Sequence, residues 1–367
     1  MDAPQGFVPG LALGRMFYDE VAREVVENVV QPGSYAAGFM GKGSDVLGYD
    51  SPTSADHDWG PRFLVFLADG ASPALAARLD AELKRALPKT FHGHPVSFPD
   101  PDPLESGVDS AEGFDSDAVH HLVQITTLHE WLVRFLGMDP RGGMGSLDWL
   151  TFPEQRLVEV TSGEVFHDPR GELTAVRGML AYHPRDVWLY RMACQWQRIS
   201  QEEAFVGRCA ESVDLLGMRL LAARVSRDVM KLGFLMERRY APYDKWLGTA
   251  FGRLACGSSM MPRLLAVLDA RDYPTLEKSL VEVYRALAGM HNGLGVTGAL
   301  DTTPRSYLSR PYLVLRADRF ANALLHAIRD TTLTRIPVRM GAIDQFIDCT
   351  DYIENVGMYR KTLSLYR

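Results

Sequence analysis

Two aspartates one residue apart, Asp56 and Asp58, follow a Gly43–Ser44 pair after eleven intervening residues. Alternate residues of an extended chain project to one face, so a strand here sets the two carboxylates side by side. Like charges that close repel unless a cation compensates. A hard divalent ion such as Mg2+ is the natural partner of paired carboxylate oxygens, and it keeps room for substrate phosphates. The Gly43–Ser44 turn offers the complementary half. Glycine lets the backbone approach a phosphate closely, and amides plus a hydroxyl can donate to it. One ribbon then supplies metal ligands and a phosphate cradle. A turn followed by an exposed acidic hairpin is the competing reading of the same residues.

The surrounding elements must position this ribbon. Apolar residues recur at helical spacing from Leu11 to Val30 (Phe17, Val21, Val25, Val29), which predicts an amphipathic helix ended by "QPGS". "YAAGFMGKGS" reads as a short strand entering a turn, and the run Phe63–Ala68 as a buried strand. "SPALAARLDAELKRALP" is a helix capped by Ser72, with Pro73 in its first turn and Leu75, Leu79, Leu83 and Leu87 on one face. "HPVSF" and "HHLVQITTL" read as further strands. Between them Pro99–Asp117 carries seven acidic residues, three prolines and no basic residue, the composition of a surface loop. After about residue 150 helical stretches dominate: Val187–Glu203, Ala204–Arg239, Pro242–Ala255, Met261–Leu268 and Pro274–Met290. A final region richer in proline and glycine follows.

At 367 residues the chain suggests roughly two domains, and 46% apolar with 23% charged residues is globular composition. A net charge of -7 argues against a protein that coats nucleic acid or an anionic membrane. Cys194, Cys209, Cys256 and Cys349 form no CxxC pair or zinc spacing, as expected of reduced thiols in a cytoplasmic protein. The start "MDAPQGFVPG" lacks a signal-peptide pattern, and no apolar run reaches membrane-spanning length. GxSxG, HExxH and P-loop motifs are absent.

The Gly43-Ser44 … Asp56-His57-Asp58 stretch resembles the nucleotidyltransferase superfamily related to DNA polymerase β. That signature pairs an apolar residue and Gly-[Gly/Ser] with a later Asp-x-[Asp/Glu]; Lys42 departs from the apolar position. "HDPRGELTAVRGMLAYHPRDVWLYRMACQWQRI" and "ERRYAPYDKWL" look like the helical half of a bacterial nucleotidyltransferase-like family of unknown function. "YAPYDKW" is also similar, loosely, to antibiotic nucleotidyltransferases. The resemblance implies an α+β chain: a mixed-sheet catalytic domain over 1–150 and a helical substrate-binding domain over 151–367. It implies Mg2+ on Asp56 and Asp58 and a nucleoside triphosphate, ATP being expected, near Gly43 and Ser44. The acceptor is a small molecule or a protein; a nucleic acid end is disfavoured by the acidic composition.

Other residues fill out this expectation. Lys245 is read as a cation for the triphosphate with Tyr243 shaping its pocket, or as a surface lysine at a helix start. Arg62 either steers phosphates or neutralises the aspartates. His57 faces away from the aspartates as a structural histidine. The superfamily's third carboxylate falls on Gln124 in "VQI", a neutral and poorer magnesium ligand. Glu130 and Asp100 are fallbacks, and Glu202, Glu203 and Asp228 are candidates for the missing base. Gln124 motivates the alternative, a nucleotide-binding regulatory or scaffold protein that has lost catalysis. Arg238 and Arg239 suit a helix C-terminus, and His291 and Asn292 a helix cap with glycine.

Overall fold

The computed structural model describes residues 6–55, 59–98 and 119–367. The chain forms two compact units, one of residues 1–143 with 156–181 and the other of 144–155 with 182–367. The division differs from a single boundary at 150/151. The reason lies in the strand Glu164–His167, which pairs antiparallel with Tyr35–Phe39 and so draws residues 156–181 into the first unit.

The first unit is built on a four-stranded mixed sheet, in the order Gln124–Thr127, Leu64–Leu67, Tyr35–Phe39, Glu164–His167. Leu64–Leu67 is buried at all four positions because it has a partner on each side. It runs antiparallel to Tyr35–Phe39, with Gly38 opposite Leu64, and parallel to Gln124–Thr127, with Leu64 opposite Gln124. A parallel pair needs a crossover, and the helix Pro73–Ala86 lies within that connection. Its expected cap forms: the Leu75 amide donates to Ser72 Oγ at 3.3 Å. The N-terminal helical stretch forms too, as α-helix Gly10–Phe17, a π-helical turn Tyr18–Ala22 and α-helix Arg23–Glu27. Leu13, Phe17, Tyr18 and Val26 pack with Phe63, Val65, Leu79 and Leu83 in one core. "HPVSF" contributes only the two-residue bridge His94–Pro95.

The second unit is mostly helical. Arg185–Glu211 and Leu215–Met236 pack on each other, and Asp244–Gly252, Gly257–Asp269 and Tyr273–Gly293 follow. A break at 203/204 does not occur. Glu203 is buried within the first long helix, where its carboxylate accepts from the Leu315 and Ala317 amides at 2.7 and 3.0 Å. The chain turns instead at Val213, whose φ is 56°, and Asp214 caps the next helix by accepting from the Gly217 amide at 2.8 Å. The proline- and glycine-richer region folds as a hairpin, Arg305–Tyr307 with Arg310–Val314, and further short helices. Mixed sheet and helices together make the chain α+β. Among the described residues no helix is long and apolar enough to cross a membrane.

Candidate functional site

In the first unit, the strand Tyr35–Phe39 ends in a tight turn. The Gly41 amide donates to Glu159 O at 2.9 Å, and the Tyr49 amide closes the turn on Ser44 O at 2.8 Å. Between these anchors Gly43 has φ 130° and is exposed. A Cβ there would collide with Asp45 Oδ1 and Arg62 Nη2, so both the conformation and the space demand glycine. Among the described residues, the amides of Gly43 and Ser44 donate to nothing. The turn thus presents two unspent N–H groups on a braced backbone.

The brace is Arg62. Its Nη2 donates to Asp45 Oδ1 at 2.7 Å and to Lys42 O at 3.0 Å, and its Nε to Asp45 Oδ2 at 3.2 Å. The guanidinium stacks 4.5 Å over the Phe39 ring. Asp45 is buried and Arg62 half-buried, so the pair is partly shielded from water. The arginine is committed to Asp45, a residue that sequence reasoning passed over, rather than free to steer phosphates. Asp56, His57, Asp58 and Asp100 lie outside the described residues, as does the acidic stretch 99–118. Gln124 opens its strand opposite Leu64 and is exposed. Glu130 closes the capping box of the helix Leu128–Leu136 with Thr127, a structural task that accounts for its carboxylate. Among the described residues no group of three or more His, Cys, Asp or Glu could hold a metal ion.

Gly43→Ala is expected to destabilise the protein by about 1–3 kcal/mol, the scale of a strained backbone position, and to weaken triphosphate binding. Thermal melting checks the first part and nucleotide titration the second. An unchanged melting temperature would mean that the turn relaxes freely.

The second unit holds a cavity of about 310 Å³ whose lining residues all belong to that unit. Tyr243 and Lys245 line it. Tyr243 immediately precedes the helix Asp244–Gly252, and its amide donates to Gln155 Oε1 at 3.0 Å. Lys245 sits in the first turn of that helix, exposed, with Nζ 5.2 Å from the Trp246 ring centroid. Lys245 thus starts a helix at the surface and borders the cavity.

Sequence reasoning missed the charged floor of this cavity. Arg191 is 1% exposed and donates from Nη2 to Asp344 Oδ1 and Oδ2 at 2.9 and 3.0 Å. The same nitrogen lies 2.8 Å from Glu154 Oε1. Burial opposes its charge, but Asp344 and Glu154 outweigh that and raise its pKa. Glu154 also accepts from the Ala241 amide at 2.9 Å. His183 lies 3.3 Å from Glu154; burial, then Arg191, lowers its pKa and keeps it neutral, so this contact is a hydrogen bond. Lys231 donates to Asp344 O at 2.9 Å, and burial, then Arg227, pushes its pKa below the ordinary lysine value. At the rim Arg227 reaches Asp244 at 2.9 Å and Asp348 at 3.2 Å. These partners stand up to 153 residues apart, so no local pattern announces them.

The candidate bases are otherwise employed. Glu203 anchors backbone amides, and burial pushes its carboxyl up to about 7. Asp228 is buried and accepts from Gln195 at 2.9 Å and Arg198 at 3.1 Å. Glu202 pairs with Arg224. His291 is fully buried inside a helix, accepting from Trp196 Nε1 at 3.2 Å, rather than capping it. Asn292 ties down Leu300 through both its amide groups. Arg238 takes φ 54° just past a helix end and stacks on Tyr182 and Trp188.

Residues 149–247 match a family described as a domain of unknown function, DUF4037. No curated protein matches the chain. Among solved structures, a nucleotidyltransferase-like protein from Exiguobacterium sibiricum 255-15 is similar at 12% identity and a TM-score of 0.31. The match covers 97% of this chain and 89% of that one.

Proposed function

We propose that the chain is a magnesium-dependent nucleotidyltransferase. It moves a nucleoside monophosphate from a triphosphate, ATP being the expected donor, to an acceptor hydroxyl. A bond forms between the acceptor oxygen and the α-phosphorus, the α–β bridging bond breaks, and pyrophosphate leaves. The observation that carries this reading is the pair of unspent amides at Gly43 and Ser44 on a turn braced by Arg62 and Asp45. It precedes Asp56-His57-Asp58 at the spacing described above. Backbone amides left without an acceptor in a glycine turn are suited to phosphate oxygens. Asp56 and Asp58 would hold Mg2+, which supplies charge stabilisation when bound. The acceptor is a small molecule or a protein side chain, in keeping with a net charge of -7, and the compartment is the cytoplasm.

Pyrophosphate release from nucleoside triphosphates with Mg2+ and a panel of hydroxyl acceptors tests the reading. Absence of both turnover and triphosphate binding would overturn it. Binding without turnover would favour the second reading, a nucleotide-binding regulatory protein, which Gln124 in place of an acid supports.

Lys245 and Tyr243, within the second unit, are proposed as nucleotide contacts in their own right. Lys245→Ala is expected to weaken triphosphate binding about tenfold, since lysine acts on phosphate as a point charge. The melting temperature should stay within 2 °C of the parent, roughly what 0.5–1 kcal/mol produces in a unit of this size. Unchanged nucleotide affinity would remove Lys245 from the site.

A further inference from the structure

The cavity of the second unit has an uneven hydrogen-bond inventory. Four cations and four carboxylates line it, so its formal charge balances. The carboxylates, however, are spoken for. Glu154 and Asp344 serve Arg191 and backbone amides, and Asp244 and Asp348 serve Arg227. The donors are not. Lys231 has three N–H bonds and spends one, on Asp344 O. Lys245 has no carboxylate partner among the described residues and rests near an indole. Arg191 keeps Nε and Nη1 buried with no partner among the described residues. The unspent N–H bonds of Lys231 and Lys245 are the donors open to an acceptor-rich ligand in the cavity.

We infer that this cavity binds a small organic oxyanion, a phosphate monoester or a carboxylate, with its anionic group on Lys231. The cavity includes Tyr243 and Lys245, proposed above as nucleotide contacts, but the inference rests on Lys231 and does not require the transfer reaction. A volume of about 310 Å³ equals roughly ten waters. Leu235, Ile347 and Ile353 line the same cavity and give a short carbon skeleton an apolar wall. Segment 344–353, which supplies part of the lining, lies beyond the residues that match the DUF4037 family.

Calorimetric titration of the whole protein with glycerol 3-phosphate, citrate and neutral glycerol tests this. At least one anion should bind saturably at one site, glycerol should not, and Lys231→Met should weaken the anion at least tenfold. Preference for glycerol 3-phosphate assigns the phosphate class, and preference for citrate the carboxylate class. Where Lys231→Met fails to fold, Lys231→Gln replaces it, with its melting curve as the folding control; this variant keeps a donor and loses the charge. No saturable anion binding, anion binding that the Lys231 variants leave unchanged, or glycerol binding as tightly as the anions would each overturn the inference.

Discussion

Asp56→Asn and Asp58→Asn are each expected to cut magnesium-dependent pyrophosphate release by at least about 100-fold, the scale on which loss of one electrostatic stabiliser acts. Asparagine keeps the shape of aspartate and removes the anion, so what is lost is affinity for the hard cation rather than packing. Two carboxylates one residue apart repel each other in the metal-free protein. Each substitution should therefore leave the metal-free melting temperature equal or slightly higher. The two readouts separate the proposal from a structural role, in which melting temperature and activity would fall together. Turnover at the parental rate in both variants would sink the metal assignment.

The largest stability effect is expected at Arg191. Arg191→Met removes the cation that, among the described residues, pairs with both Glu154 and Asp344 on the cavity floor. Taking away one partner of a buried ion pair costs about 3–5 kcal/mol, because the remaining carboxylate is left in a poorly solvated place. In a unit of this size that corresponds to a fall in melting temperature of roughly 10 °C. Adding Glu154→Gln to Arg191→Met should recover part of the loss. A deficit below 2 °C at pH 7 would mean that the floor is not held by this pair.

Arg191 also marks where local pattern stops informing. The N-terminal helical stretch, the Ser72–Pro73 helix start and the buried strand near Phe63 were legible because their causes sit within a few residues. Apolar period, a capping hydroxyl and an uninterrupted β-prone run are all short-range terms. The requirement for glycine at 43 was partly legible, since a Gly-Ser pair before paired aspartates already suggests a phosphate turn. What holds that turn was not: Arg62 meets Asp45 seventeen residues away, and the sequence leaves it equally suited to phosphate or carboxylate.

The sequence by itself determined the N-terminal helical stretch, the Ser72-capped helix, the strands near Tyr35, Phe63 and Gln124 and the α+β class, and it raised the chemistry expected of Gly43, Ser44, Asp56 and Asp58. Tertiary structure alone decided that Glu164–His167 joins the first sheet, and that the helix break falls at Val213 rather than near residue 204. It alone brought Glu154, Arg191, Lys231 and Asp344 onto one cavity. Contacts between segments up to 190 residues apart are selected by burial and charge compensation in the folded chain, and such terms leave no period or cap to read beforehand.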